Sequence, residues 1–362
     1  MRYSRRELKG LPVPKEIVVR SLAEYIKLFS TDDFKSYIFR GECTNYNSTT
    51  SSAFRREEYP FIQMKDEFKR EIFHKLADYE RKDFLAFAQH HGIPTNLVDF
   101  TSSPLVALFF ACQPFENSDV HKDLDEERGF VYLLKDELID ITKILEVNED
   151  ENLLNLIVQG SEDVTLELYK LLVGYEKRCP EKFYYYFKKL VEDWECYFID
   201  FQLERPKKTK FPLYDDGDYK SQIEITYGYA IAERIENKYI DVDMVVLEYI
   251  LRLQDFLRNI LKYKETVWQL NCIPNFVYRP ILSFERGRNQ RGLFIYQSYL
   301  PFVEDVYDAP ILSLQRVWPD VIIVIENKDV ILEELDLIDI NEKFIYGDYD
   351  SIARYVRRKY NC

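Results

Sequence analysis

Residues 84–112, FLAFAQHHGIPTNLVDFTSSPLVALFFAC, hold two histidines, a Gly-x-Pro-Thr turn, an aspartate and three consecutive hydroxyls. A segment that only built core would not carry them, because every buried polar atom needs a partner. Imidazoles move protons near neutral pH, and hydroxyls at the start of a helix can hold ribose or phosphate oxygens. Adjacent helical side chains point about 100° apart, so His90 and His91 are badly placed to chelate one ion, and no metal site is expected. His90 could donate to a ribose or phosphate, or act as acid or base. The alternative is a buried histidine that bonds Asp99 or a backbone carbonyl and fixes the turn from Gly92 to Pro94.

A second chemically suggestive residue is Arg40, in the β-rich run Tyr37-Ile38-Phe39-Arg40-Gly41-Glu42. Its planar, always-charged fork suits a pyrophosphate, while the structural alternative is an ion pair with Glu42 or Asp99. These groups need elements to position them. Leu97, Val98 and Phe100 read as a short buried strand ending at Thr101-Ser102-Ser103. Ser103 is a good N-cap, or nothing more than a cap, and Pro104 fits a first helical position ahead of the apolar helix Leu105 to Cys112.

Around this centre, the spacing predicts helices over 17–29, 64–79 and from about Asp83. From roughly 136 to 270 the pattern turns to long, charged helical segments, read as a helical insertion interrupted by a polar loop at 195–225. FVYRPILSF, RGLFIYQ and VIIVIEN are then β-rich, and NKDVILEELDLI and YDSIARYVRRKY read as closing helices. The expected class is α+β, with a core from 1–135 and 271–362 around an insertion at 136–270.

Composition narrows the function classes. The 362 residues, 46% hydrophobic, can bury a sizeable core without staples. A net charge of −14 argues against general DNA or RNA binding, which needs Lys and Arg to neutralise phosphates. Six scattered cysteines with no C-x-x-C pair suggest reduced thiols and a cytoplasmic setting. No apolar run approaches the roughly 20 residues of a membrane span. Motifs for phosphate-loop hydrolysis, dinucleotide-fold redox chemistry, zinc proteolysis and serine hydrolysis are missing from the sequence.

The runs FRG, AQHHGIPTNLVDFTSSPLVALFFA, GFVYLL and RGRNQRGLF occur in the order and with the residue types of the FRG domain, which the chain resembles over 17–134 and 276–360. The order strand-Arg, strand-Thr-Ser-Ser-helix and late polar strand residue also resembles ADP-ribosyltransferases. That second resemblance implies NAD as substrate, Arg40 and Gly41 at its phosphates, and Thr101, Ser102 and Ser103 near the nicotinamide ribose. It further implies His90 and Gln290 as catalytic groups, a protein or nucleic-acid acceptor, and a bacterial toxin or phage-defence setting. Gln290, read as a strand residue facing the site, stands where a transferase carries glutamate. A neutral amide can hold a ribose hydroxyl but supplies no negative charge to a developing cation. Nearby Glu285 lies on a different phase of the strand. The expected function is therefore ADP-ribosyltransferase-like, with a non-catalytic nucleotide- or protein-binding module as the alternative. A nuclease using the histidines with Asp99 is disfavoured by the acidic chain and its lack of clustered carboxylates.

Overall fold

The computed structural model describes residues 13–30, 34–46, 49–55, 60–115, 124–148, 151–200, 235, 237–239, 242–263, 268–282, 284–301 and 311–360. Its first strand, β1 (Lys15–Val19), leads into α1 (Leu22–Leu28), so the helix expected over 17–29 is shorter and begins later. Three successive β-branched residues, Ile17, Val18 and Val19, favour the strand, and Ser21 accepts the N–H of Glu24 to start the helix. Next come β2 (Tyr37–Glu42), α2 (Phe61–Ile72), α3 (Asp78–Lys82), α4 (Phe84–His90), β3 (Leu97–Thr101) and α5 (Pro104–Ala111). Ser103 caps α5 by accepting from the N–H of Val106, with Pro104 at the first helical position.

The chain continues through β4 (Gly129–Lys135), β5 (Ile139–Asp140), α6 (Thr142–Val147), α7 (Leu153–Gln159), α8 (Glu162–Arg178), α9 (Pro180–Asp200) and α10 (Met244–Tyr263). Helix α9 takes in 195–200, which corrects the start of the expected loop; the rest of that loop, 201–225, lies outside the described residues. After β6 (Trp268–Gln269) and β7 (Phe276–Tyr278) come α11 (Glu285–Asn289), β8 (Gly292–Tyr296), β9 (Tyr299–Pro301), β10 (Ile311–Leu314) and β11 (Val321–Ile325). Three helices close the chain: α12 (Lys328–Leu337), α13 (Glu342–Tyr346) and α14 (Tyr349–Lys359).

The protein is α+β. Its main sheet runs β1-β11-β4-β2-β3-β8-β7-β5, mostly antiparallel with parallel pairs at both edges, and β6, β10 and β9 form a smaller sheet. Late strands interleave with early ones: β11 lies between β1 and β4, and β8 pairs with β3. The helices of 142–263 share one apolar core with sheet residues, where Leu168, Phe183, Tyr249 and Phe256 pack with Leu97, Phe276 and Tyr296. Among the described residues no helix is long and apolar enough to cross a membrane.

Helix α5 lies very close to the sheet. A Cβ on Gly41 would run into the carbonyl oxygen of Ala107, and one on Gly129 into that of Ala111. Both clashes are with helix backbone, which cannot rotate away. Gly41→Ala should therefore cost about 1–3 kcal/mol or more through overpacking. Chemical denaturation checks this, and a variant as stable as the parent would show that α5 can shift outward at little cost.

Candidate functional site

The two-residue period of a strand decides where β2 sends its side chains. Phe39 pairs with Thr101 of β3, and paired residues share a face, so Phe39, Gly41 and Thr101 lie on the side covered by α5. Arg40 and Glu42 point to the other side, with Ile38 and Tyr132. There the Arg40 Nε donates to Glu42 Oε1 at 3.0 Å, with the two side chains only 11% and 5% exposed. Among the described residues β2 and β3 pair at Phe39 and Thr101 alone. Beyond that pair the Arg40 Nη1 donates to the carbonyl of Asp99 at 2.8 Å, standing in for a ladder donor. Burial pulls the pKa of Arg40 down, but Glu42 and then Asp99 more than offset it, and the net shift is upward.

Arg40 closes one side of a cleft of about 210 Å³, shared with Thr50, Ser51, Ser52, Arg55, Gln89 and Asp99. The 3₁₀ turn Ser52–Phe54 holds one wall in place: Ala53 donates its N–H to the carbonyl of Thr95, and Ser52 Oγ accepts the N–H of Thr95. The opposite wall is the end of α4, where Gln89 donates to Asp99 Oδ1 at 2.7 Å and accepts from the Thr95 hydroxyl. The carboxylate of Asp99 is 67% exposed. Buried Ser51 Oγ has no hydrogen-bond partner among the described residues. Exposed Arg55 donates its Nε to the carbonyl of Thr50 and, among the described residues, makes no ion pair. Burial and then the charge of Arg40 depress its pKa, and Glu42 and Asp99 offset only part of that.

The other predicted site residues gather elsewhere. Gln290 does not lie on a strand. It is the C-terminal cap of α11, because residues 285–289 complete a helical turn before β8 begins. Its carbonyl accepts from the hydroxyl of Thr101 at 2.6 Å, and its side-chain amide donates to the carbonyl of Ile345. Thr101 Oγ1 also accepts the N–H of Ser103, and the N–H of Ser102 donates to the carbonyl of Arg291. Thr101, Ser102, Ser103 and Gln290 thus form one knot at the end of β3, outside the lining of the Arg40 cleft. Glu285 lies in the first turn of α11, with its side chain against Gly347.

His90 does not line that cleft either. Its ring stacks on Phe284 at a centroid distance of 3.9 Å, with the planes 15° apart. Asp99 is bonded by Gln89, and among the described residues neither histidine reaches it. Burial, then His91 and Arg286, lower the pKa of His90, which favours the neutral ring. Among the described residues no group of three His, Cys, Asp or Glu could hold a metal ion, and Cys43, Cys112, Cys179 and Cys272 are free thiols. Arg55, Ser51 and Gln89 escaped the sequence reading. The available signal was the concentration of hydroxyls and arginines in TTSSAFRR, residues 49–56.

Residues 35–120 match the family model of the FRG domain, and the chain carries that domain over this range. The match spans β2 to α5, with Arg40, Arg55, His90 and the Thr101-Ser102-Ser103 turn, and ends well before Gln290. Neither the curated proteins nor the solved structures contain a match to the chain.

Two outcomes follow. Arg40→Met should lose about 3–5 kcal/mol, because it removes the cation that offsets the buried carboxylate of Glu42, whereas Arg40→Met with Glu42→Leu should recover most of that loss. Equal losses in the single and double variants, read by denaturant melts, would mean that the charge pair is not the cause. The pKa of His90 is lower in the folded state than in the unfolded chain. Its contribution is therefore complete above the unfolded value near 6.5 and is lost as pH falls below it. Stability profiles from pH 7.5 downward should fall less steeply for His90→Phe than for the parent.

Proposed function

We propose that the FRG domain of this chain is a nucleotide-binding module. The Arg40–Arg55 cleft would seat a phosphate group of a nucleotide such as NAD without transferring ADP-ribose. The observation that carries this reading is Arg55, which makes no ion pair among the described residues and stands beside the buried Arg40, in a cleft where the hydroxyl of Ser51 has no hydrogen-bond partner among the described residues. An anion between the guanidiniums would relieve their repulsion and accept charge-assisted hydrogen bonds from Arg55. The volume sets the scale. Sites for whole drug-sized ligands are typically about 300–1,000 Å³, so this smaller cleft takes a phosphate or ribose and leaves the rest of the ligand outside it.

Transfer chemistry has less support. It needs a negative charge beside the ribose carbon as nicotinamide leaves. Gln290 offers a neutral amide that is already donating to Ile345, and Thr101 already donates to the carbonyl of Gln290. Arg40 is engaged by Glu42 and Asp99. Held this way, Arg40 would shape the cleft and supply its field, with Arg55 as the mobile ligand contact.

The test is a thermal-shift titration with NAD and with inorganic pyrophosphate, alongside an assay for free nicotinamide. At about 100 times its Kd a ligand adds about 2.7 kcal/mol to stability, enough to move the melt by several degrees. Arg55→Gln should abolish the shift while leaving the ligand-free melt within about 0.5 kcal/mol of the parent, as exposed substitutions do. No nicotinamide should appear, even with Gln290→Glu. The absence of a shift with either probe would overturn the binding reading, and nicotinamide release would overturn its non-transferring part.

A further inference from the structure

A second cleft, of about 260 Å³, opens where α9 meets the segments preceding β7 and β11. One wall carries Lys182 and Tyr185 of α9, another Asn271, and the third Arg316 and Trp318. The site is firmly built. Gln315 donates to the carbonyls of Ile273 and Pro274 at 2.9 and 3.1 Å, which locks the two loops together. Tyr186 is buried beside Asn275 in the same lining, joining α9 to the same floor.

Arg316 is the anomalous residue. Its Nε donates to Gln269 Oε1 at 2.7 Å, a neutral partner, and among the described residues no carboxylate lies within ion-pair distance. Lys182, in contrast, already faces Glu137 and Asp320 at 4.0 and 3.8 Å. Burial depresses the pKa of Arg316, and Glu181, Lys182 and Asp320 line the same cleft. A half-buried guanidinium held by an amide, with no ion pair among the described residues, can offer its outer N–H groups to an anion. Trp318, backed by Phe130 and Tyr132, and Tyr185 of α9 present aromatic surface in the same cleft. Rings of that kind take planar partners by stacking.

We infer that this cleft binds a small planar aromatic ligand carrying one anionic group, with the ring against Trp318 and Tyr185 and the anion on Arg316. The volume of about 260 Å³, just below the about 300–1,000 Å³ of sites for drug-sized ligands, limits the occupant to one small molecule of this kind, part of which can extend into solvent. A mononucleotide and an aromatic carboxylate share this chemistry. The position agrees with the tendency of ligand sites to form where separate structural units meet. The inference stands apart from the Arg40–Arg55 reading, since the two clefts share no residue.

The experiment titrates the full chain with AMP and with indole-3-carboxylate, using adenosine and inorganic phosphate as half-ligand controls. Binding is read by calorimetry and by tryptophan fluorescence. At least one aromatic anion should bind and quench fluorescence, and Trp318→Phe should remove most of the quench. Arg316→Gln should weaken binding about tenfold or more, the loss expected from one charge-assisted contact, and Arg316→Lys should weaken it less. The lysine variant also covers the case in which Arg316→Gln fails to fold. Binding of AMP alone identifies a nucleotide site, and binding of indole-3-carboxylate alone identifies a site for aromatic acids. The proposal is overturned if neither binds, if adenosine binds as tightly as AMP, or if Arg316→Gln leaves the affinity unchanged. Loss of AMP binding in Arg55→Gln but not in Arg316→Gln would also overturn it, by moving the ligand to the other cleft.

Discussion

The pleat of β2 is the constraint on which the rest of the site depends. Because successive side chains alternate faces, Phe-Arg-Gly cannot act as one cluster. Phe39 and Gly41 face α5, and Gly41 must lack a side chain there because the helix backbone occupies the space where a Cβ would lie. Arg40 is driven to the opposite face, where it meets Glu42, its neighbour two residues along the same strand. One short run therefore does two separate jobs: it lets a helix approach the sheet, and it places a charge where β2 and β3 diverge.

Burying that charge shapes the chemistry around it. The Arg40 guanidinium is matched by Glu42 and by the carbonyl of Asp99, so it is held in place within the fold. Its positive field persists at the cleft, which is why the more exposed Arg55 feels it as repulsion. In this arrangement a charge fixed within the sheet stands beside a more exposed one on the 3₁₀ turn's side of the cleft. The knot of Thr101, Ser103 and Gln290 follows a different logic. Its hydroxyl and amide satisfy the backbone at the junction of β3, α11 and α13, which lets α5 start directly after the strand.

The helices of 142–263 are bound into the same architecture through a shared core. Tyr249, buried within it, donates its hydroxyl to the carbonyl of Cys272, and Gln254 donates to the carbonyl of Ile157. The first contact ties α10 to the segment before β7 and the second ties α10 to α7, and a cleft lies where α9 meets that same segment before β7. Gln315 closes the bottom of that cleft, and Arg316, next in the chain, borders it.

Local signals in the sequence were enough for the elements nearest the chemistry. β-prone residue types marked the strand at 37–42, and a serine cap followed by proline marked the start of α5, because propensity and capping act within a few residues. The same locality explains the misreadings. Ile17-Val18-Val19 fits a helical stripe as well as a strand, and the choice is made by β11, which pairs with β1 from the far end of the chain. Arg286 to Gln290 reads as strand until its helical turn is seen capping against α13. Which residues share a cavity lay beyond the sequence altogether. Thr101 is paired directly with Phe39, next to Arg40 in the chain, yet parity sends it to the other face, while Arg55 reaches the Arg40 cleft through the turn at Ser52–Phe54. Residue types set the chemistry available to this protein. Strand parity and long-range pairing decided which groups could act together, because both depend on partners that no local stretch of chain contains.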